Sequence, residues 1–296
     1  MRDMRPSMTA QSVATNILKL SYDETYGHLV PAGAVEPTRW FLQASSGWLG
    51  DLSVLLHNPL VRGLAQAVEQ VSFPGISLHN AIRKRWIEAE VREGLARGAA
   101  QVVVLGAGFD TLAYRLHREH PRVLWLEIDH PATLHVKQQA LAEHAPDLGD
   151  NLRLRANDFS EKSLAELLKG DPDFHFRRTT LFIAEGLLMY LAEPEVRQLL
   201  RTLSSHSGPG SRLLGTILEE NPHNRSSKAN LKLQIIGEPY QWRIAPAALA
   251  DFLRQNGLRL LVVQSDQAVL PQFLAADASR PQLPGEEYFF SARCSP

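Results

Sequence analysis

The run QVVVLGAGFDTLAYRL, residues 101–116, decides how the rest of the chain is read. Its first five residues have a strand's composition, Gly106-Ala107-Gly108 follows, and a helix-patterned segment comes directly after. A glycine pair between a buried strand and a helix lets a ligand approach the main chain where a Cβ would block it. An ordinary structural turn is the plainer account of the same two residues. A dinucleotide fold asks for a third glycine three positions on, beneath a pyrophosphate, and Thr111 stands there instead. A nucleoside ligand without a diphosphate needs only the first two. The next strand-like run, VLWLEID, ends in Glu127 and Asp129, about 20 residues past the glycines, where an acid accepts both ribose hydroxyls. Asp129 is the expected acceptor, and Glu127 is its rival if the register slips by one alternation.

Outward from this turn the chain has two textures. Residues 9–98 show helical spacing: Val13, Ile17 and Leu18, then NPLVRGLAQAVEQV, then SLHNAIRKRWIEAEVREGLARG with Ser77 as expected N-cap and Gly98 as stop. From residue 101 short apolar runs alternate with helical patterns: QVVVL, RVLWLEID, LRLRA, TTLFIA and SRLLGTIL. That alternation predicts an α/β fold, a parallel sheet with crossover helices on both faces. LRLLVVQ and EYFFSAR, separated by a Pro-containing loop, suit an antiparallel edge pair. The expected organisation is an N-terminal helical cap over 1–98 and a core over 99–296 carrying a lid insertion near 219–246.

With 296 residues and 44% apolar content the chain can bury a full core. A formal net charge of −1 gives no global attraction to nucleic acid or an anionic membrane. Cys294 is the single cysteine, so an internal disulfide and a cysteine zinc cluster are excluded, and no metal is expected. MRDMRPSMTAQS lacks the apolar stretch of a secretory signal, and no run has the length needed to cross a bilayer. These features predict a cytoplasmic protein with a small-molecule partner, neither nucleic acid nor membrane, and leave a homodimer open.

VVVLGAGFDTLAYRL, LEIDHP with Lys137 following, and AEGLLMYL together resemble the leucine carboxyl methyltransferase family, which includes bacterial polyketide carboxyl O-methyltransferases. The motif-bearing match covers residues 83–214. The resemblance implies a class I methyltransferase fold, a Rossmann-like seven-stranded mostly parallel sheet, S-adenosylmethionine as methyl donor, and a place in secondary metabolism. It implies that Arg83 holds the donor's methionine carboxylate, for which its planar fork is suited. The plainer account is a basic helix face, since Lys84 and Arg85 flank it. Gly106 and Gly108 would admit the methionine and ribose portions, and Asp129 would bind the ribose diol. Asp158 and Phe159, in NDF, would frame the adenine, although Asp158 could equally cap the helix of SEKSLAELL. Glu185 would lie at the donor's amino and sulfonium end. Leu112 stands where many relatives carry an arginine, and Asp110 reads as a helix cap.

Methyl transfer from a sulfonium asks mainly for alignment and exclusion of water. A carboxylate acceptor is already ionised at neutral pH, whereas a phenol needs a proton acceptor. Catalytic residues are therefore unassigned, with acceptor-side candidates at Tyr190, at Tyr240 and Arg243 in GEPYQWRI, and at His28 in SYDETYGHLVP. Buried aromatics packed on the core account equally well for the tyrosines. None of the eleven histidines, His79, His206 and His223 included, has a spacing that marks it as a base. The expected function is an S-adenosylmethionine-dependent O-methyltransferase acting on a carboxylate of a small organic acid or polyketide-like intermediate. The alternatives are a phenolic O-methyltransferase, an NAD(P)-dependent oxidoreductase and a catalytically silent donor-binding protein.

Overall fold

The strand-like runs form β1 (Gln101–Leu105), β2 (Leu124–Asp129), β3 (Leu152–Ala156), β4 (Thr180–Ala184), β5 (Arg212–Leu218), β6 (Leu258–Ser265) and β7 (Glu287–Cys294). The structure is a computed structural model describing residues 6–45, 53–158, 162–220, 238–274 and 281–295. One sheet runs in the order β3-β2-β1-β4-β5-β7-β6. β1 to β5 pair in parallel, and β7 pairs antiparallel with both β5 and β6. The last two runs are thus the expected antiparallel pair, but β7 is inserted inside the sheet and β6 takes the edge.

β1 is buried along its whole length because both of its faces are covered. Val102 and Val104 join a core with Ile82, Trp86 and Trp125, while Val103 and Leu105 pack with Leu126 and Phe182 on the other face. Strand order reverses between β1 and its neighbour β4, and in open α/β sheets the crevice beyond such a reversal is where ligands bind.

The N-terminal stretch forms α1 (Met8–Leu20), α2 (Val35–Ala44), α3 (Pro59–Ser72) and α4 (Ile76–Ala96). α4 lays Leu78, Ala81, Ile82 and Trp86 onto the same core as β1, so these helices share the sheet's packing. Its N-cap is Gly75 rather than Ser77, whose hydroxyl instead donates to Glu69 at 2.6 Å. Arg97 is the C-cap and Gly98 follows with φ +92°. Crossovers are made by α5 (Leu112–Leu116), α6 (Pro131–His144), α7 (Leu164–Gly170), α8 (Glu193–Ser205) and α9 (Pro246–Gln255). α7 is capped by Ser163, which forms a reciprocal box with Glu166, so the cap assigned to Asp158 belongs to Ser163. No helix among the described residues is long and apolar enough to cross a membrane.

Of the insertion at 219–246, residues 221–237 lie outside the described residues, and His223 with them. The returning segment docks on the core: Gln241 N–H donates to the Met189 carbonyl at 2.8 Å, and Trp242 packs against Phe252 at 5.1 Å between centroids. Glu238 accepts the backbone N–H groups of Met8 at 3.2 Å and Thr9 at 3.1 Å, and the Ser7 hydroxyl at 3.3 Å. An acid on the exposed amides of α1 is the favoured electrostatic arrangement. It also ties the first helix to a segment more than 220 residues away in sequence.

Candidate active site

A cavity of about 1840 Å³ opens at the carboxyl ends of β1, β2 and β4, walled by α1, α3, α4 and residues 238–241. Gly106 and Gly108 line it with φ +63° and +49°. Side chains at these positions would be strained, and would crowd Leu187 at 3.0 Å and Ala10 at 3.2 Å. The turn approaches α1 and β4's loop this closely because it has no Cβ.

Asp129 stands on the cavity wall and Glu127 does not. Glu127, two residues earlier on the same face of β2, lies further from the strand's carboxyl end, where Lys137 forms a fully buried ion pair with it at 2.6 Å and donates to the Asp110 carbonyl at 2.6 Å. Asp129 accepts the backbone N–H groups of Gly108 and, at 2.5 Å, His130. Burial outweighs those bonds and raises its pKa. A carboxylate has about four lone-pair sites, so roughly two remain for a diol.

Arg83 extends from α4 between two acids: Nε donates to Glu185 at 2.9 Å, and one terminal nitrogen donates to Glu287 at 2.9 Å. Lys84 bridges Asp110 at 2.8 Å and Glu185 at 3.2 Å. Burial alone would raise the Glu287 pKa, but the Arg83 charge and a His79 hydrogen bond lower it to about 2. Asp110 is likewise driven below the usual carboxylate range, since Lys84 outweighs burial. His79 is buried with Nδ1 2.8 Å from Asp266 and Nε2 2.7 Å from Glu287. Burial opposes its charge, yet the two carboxylates prevail and raise its pKa. With an acid on each nitrogen it is an imidazolium with two donors.

Tyr190 and Tyr240 both line the cavity, their rings 5.4 Å apart. Burial and the neighbouring Tyr240 push the Tyr190 pKa well above its ordinary value, and burial and Glu287 raise that of Tyr240. Asp158 is on the wall 3.6 Å from His130. Phe159 lies outside the described residues. Arg243 is off the wall, over the Tyr240 ring at 5.3 Å with a donor on the Glu219 carbonyl at 3.4 Å. His28 is a correction to the expected acceptor set: it is exposed in the Gly27–Leu29 turn and does not line the cavity. The SYDETYG segment turns back on the end of α1, through Tyr22 on the Lys19 carbonyl and Asp23 on the Leu20 carbonyl, and carries His28 to the surface.

The fit to a methionine-bearing nucleoside can be tested on one atom. Glu185 Oε2 is buried and has no hydrogen-bond partner among the described residues, while its other oxygen serves Arg83 and Lys84. An orphaned acceptor on a cavity wall matches an ammonium group, and the residues present fit the donor. The family model for leucine carboxyl methyltransferase matches residues 13–204. The chain belongs to that family. S-adenosylmethionine is accordingly its cofactor and methyl transfer its class of reaction, which sets the nicotinamide alternative aside. An inferred S-adenosyl-L-methionine-dependent methyltransferase of Mycolicibacterium smegmatis is 30% identical over 221 residues, 72% of each chain. A second, from a Parafrankia species, is 36% identical over 135 residues, and there the match spans only 42% of the relative's length. An inferred methyltransferase from Thermobifida fusca shares the fold at TM-score 0.56 and 18% identity, over 90% of this chain and 98% of that one. A DUF574-family protein of Streptomyces avermitilis does so at 0.60 and 17%, over 87% and 96%.

Sequence spacing missed Glu287, His79 and Glu238. Glu287 opens the last strand and reaches Arg83 only because β7 inserts beside β5. A carboxylate two hundred residues from its partner carries no local signal.

Proposed function

We propose that the chain transfers a methyl group from S-adenosylmethionine to a carboxylate oxygen of a small organic acid or polyketide-like intermediate. The state of the wall histidines carries this reading. His79 has both nitrogens on carboxylates, and His130 accepts the Ala132 N–H at 3.3 Å with Nδ1 and points Nε2 at Asp158. His79 therefore presents no unengaged nitrogen to a phenol, and the Nδ1 of His130 already accepts an N–H. Tyr190 and Tyr240, with raised pKa values, stay protonated at neutral pH. A carboxylic acid, with a pKa near 4, arrives already ionised and asks for no base.

In this reading Asp129 takes the ribose diol, and Glu185 and Arg83 take the donor's amino and carboxylate groups. Asp158 meets the adenine over the bare turn of Gly106 and Gly108. Helices α1, α3 and α4 and residues 238–241 cover the acceptor. Bound S-adenosylmethionine supplies an electrophilic methyl on a sulfonium. An ionised carboxylate would accept that methyl with the S–C bonding pair left on sulfur, so the chain would have no proton to move. The chain's contribution is alignment and exclusion of water.

Labelled donor and a panel of carboxylic acids and phenols test the proposal. The expected product is an ester cleaved by mild alkali, formed at a rate that varies little between about pH 6 and 9. An alkali-stable ether, formed at a rate rising through roughly pH 6 to 7, would establish a phenolic acceptor with a histidine base instead.

A further inference from the structure

Asn80 has no part in the roles above, yet its surroundings single it out. Ile76, Asn80 and the adjacent pair Arg83 and Lys84 fall along a single face of α4, each of the pair three or four residues past Asn80, and all line the cavity. Arg83 and Lys84 pair with Glu185, Glu287 and Asp110, and Arg83 already has the donor's carboxylate in the reading above. Asn80 is 2% exposed, and no hydrogen bond reaches its carboxamide among the described residues. Buried carboxamides are ordinarily satisfied, so an open one on a cavity wall points to a ligand. It sits one turn from Arg83 toward the N-terminus of α4, away from Gly106 and Asp110 and toward Gly75, which packs on the Gln282 carbonyl. In the reading above, the donor takes Arg83, and Asn80 is left for the acceptor.

The chemistry of the step favours a neutral group there. Negative charge on the acceptor and positive charge on the sulfonium both vanish as the O–C bond forms. A cation fixed on the acceptor's carboxylate would stabilise the ground state more than the transition state and slow transfer. Lys19, His79 and Lys84 on the wall are each already matched with a protein acid, and Arg83 is given to the donor's carboxylate in the reading above. The donors left for an incoming anion include uncharged ones: the Asn80 amide and two tyrosine hydroxyls held protonated.

We propose that Asn80 is an acceptor-binding residue, its carboxamide donating to the acceptor's carboxylate together with Tyr190 and Tyr240. This rests on the carboxylate reading above. The test uses the full chain, labelled S-adenosylmethionine and a pool of octanoate, benzoate, phenylacetate and succinate. The acid that wild type esterifies best then serves for kinetics. Asn80→Asp sets a like charge against that acid and should raise its KM about tenfold or more, with Asn80→Ala giving a several-fold rise. The Kd for S-adenosylhomocysteine, read by calorimetry, should stay within about twofold, and it reports that each variant is folded. KM unchanged in both variants, or donor affinity lost in both, would overturn the Asn80 assignment alone. A pool from which wild type makes no ester would overturn the carboxylate reading and this inference with it.

Discussion

Of the residues on the cavity wall, Asp129, Glu185 and Arg83 are held by charges and amides from adjoining elements, whereas Asn80, Tyr190 and Tyr240 arrive from three separate segments and carry no charge at neutral pH. The charged end is a network: Asp266, His79, Glu287, Arg83, Glu185, Lys84 and Asp110 form one chain of contacts from β6's end to the glycine turn. Buried ions in such a chain keep their geometry because losing any partner strands another charge. A fixed donor site suits a cofactor that never changes. A neutral, loosely tied wall suits an acceptor that differs between relatives, since function varies with the segments that cover a fold.

Several substitutions can break this contrast. The largest effect is expected behind the donor end, where Lys137→Met leaves the Glu127 carboxyl buried with no counter-charge. Stability should fall by about 3–5 kcal/mol in urea unfolding, and a loss below 1 kcal/mol would mean that the pair is dispensable.

Next is the pH dependence of the network. The folded pKa of Glu287, about 2, lies below its ordinary 4.5, so its contribution is present above about pH 4.5 and is lost as pH falls toward 2. That acid limb, about 3 kcal/mol, should flatten in Glu287→Gln. His79 works in the opposite direction: its pKa is raised, so its contribution is complete below its ordinary 6.5 and is lost as pH rises through the folded value. Urea midpoints measured across pH in wild type and Glu287→Gln read both limbs.

Asp129→Ala should weaken S-adenosylhomocysteine by about 2 kcal/mol in calorimetry. An unchanged Kd would shift the ribose elsewhere, and the pairing of Glu127 with Lys137 leaves that residue no better placed. The smallest effect belongs to His28→Ala, which should leave donor affinity and turnover alike unchanged, because the residue is exposed and off the wall. A tenfold drop in turnover would show that the acceptor reaches further than the cavity.

How much could be read in advance follows the range of the interactions. The five parallel runs, the glycine turn and the acidic strand end are local patterns: apolar composition makes a strand that is buried on both faces, and the turn's geometry needs residues without Cβ. By itself the sequence therefore determined the sheet, the ligand edge and the candidates Gly106, Gly108, Asp129, Asp158 and Glu185, all of which line one cavity. The two acids share one face of β2, and the choice of Asp129 over Glu127 took the packing around them, which gives Glu127 to the buried Lys137 and leaves Asp129 at the cavity end of the strand. Arg83 was found by its motif, but its two acidic partners were not. Glu287 approaches across more than 200 residues, and only the insertion of β7 between β5 and β6 brings it there. His79 looked like any helical histidine until two carboxylates were set against its ring. Asn80 gave no signal at all, because a missing hydrogen bond exists only once every neighbour has taken its place. Tertiary structure alone decided these, since long-range ion pairs and unsatisfied polar groups belong to the assembled interior and leave no period or spacing in the chain.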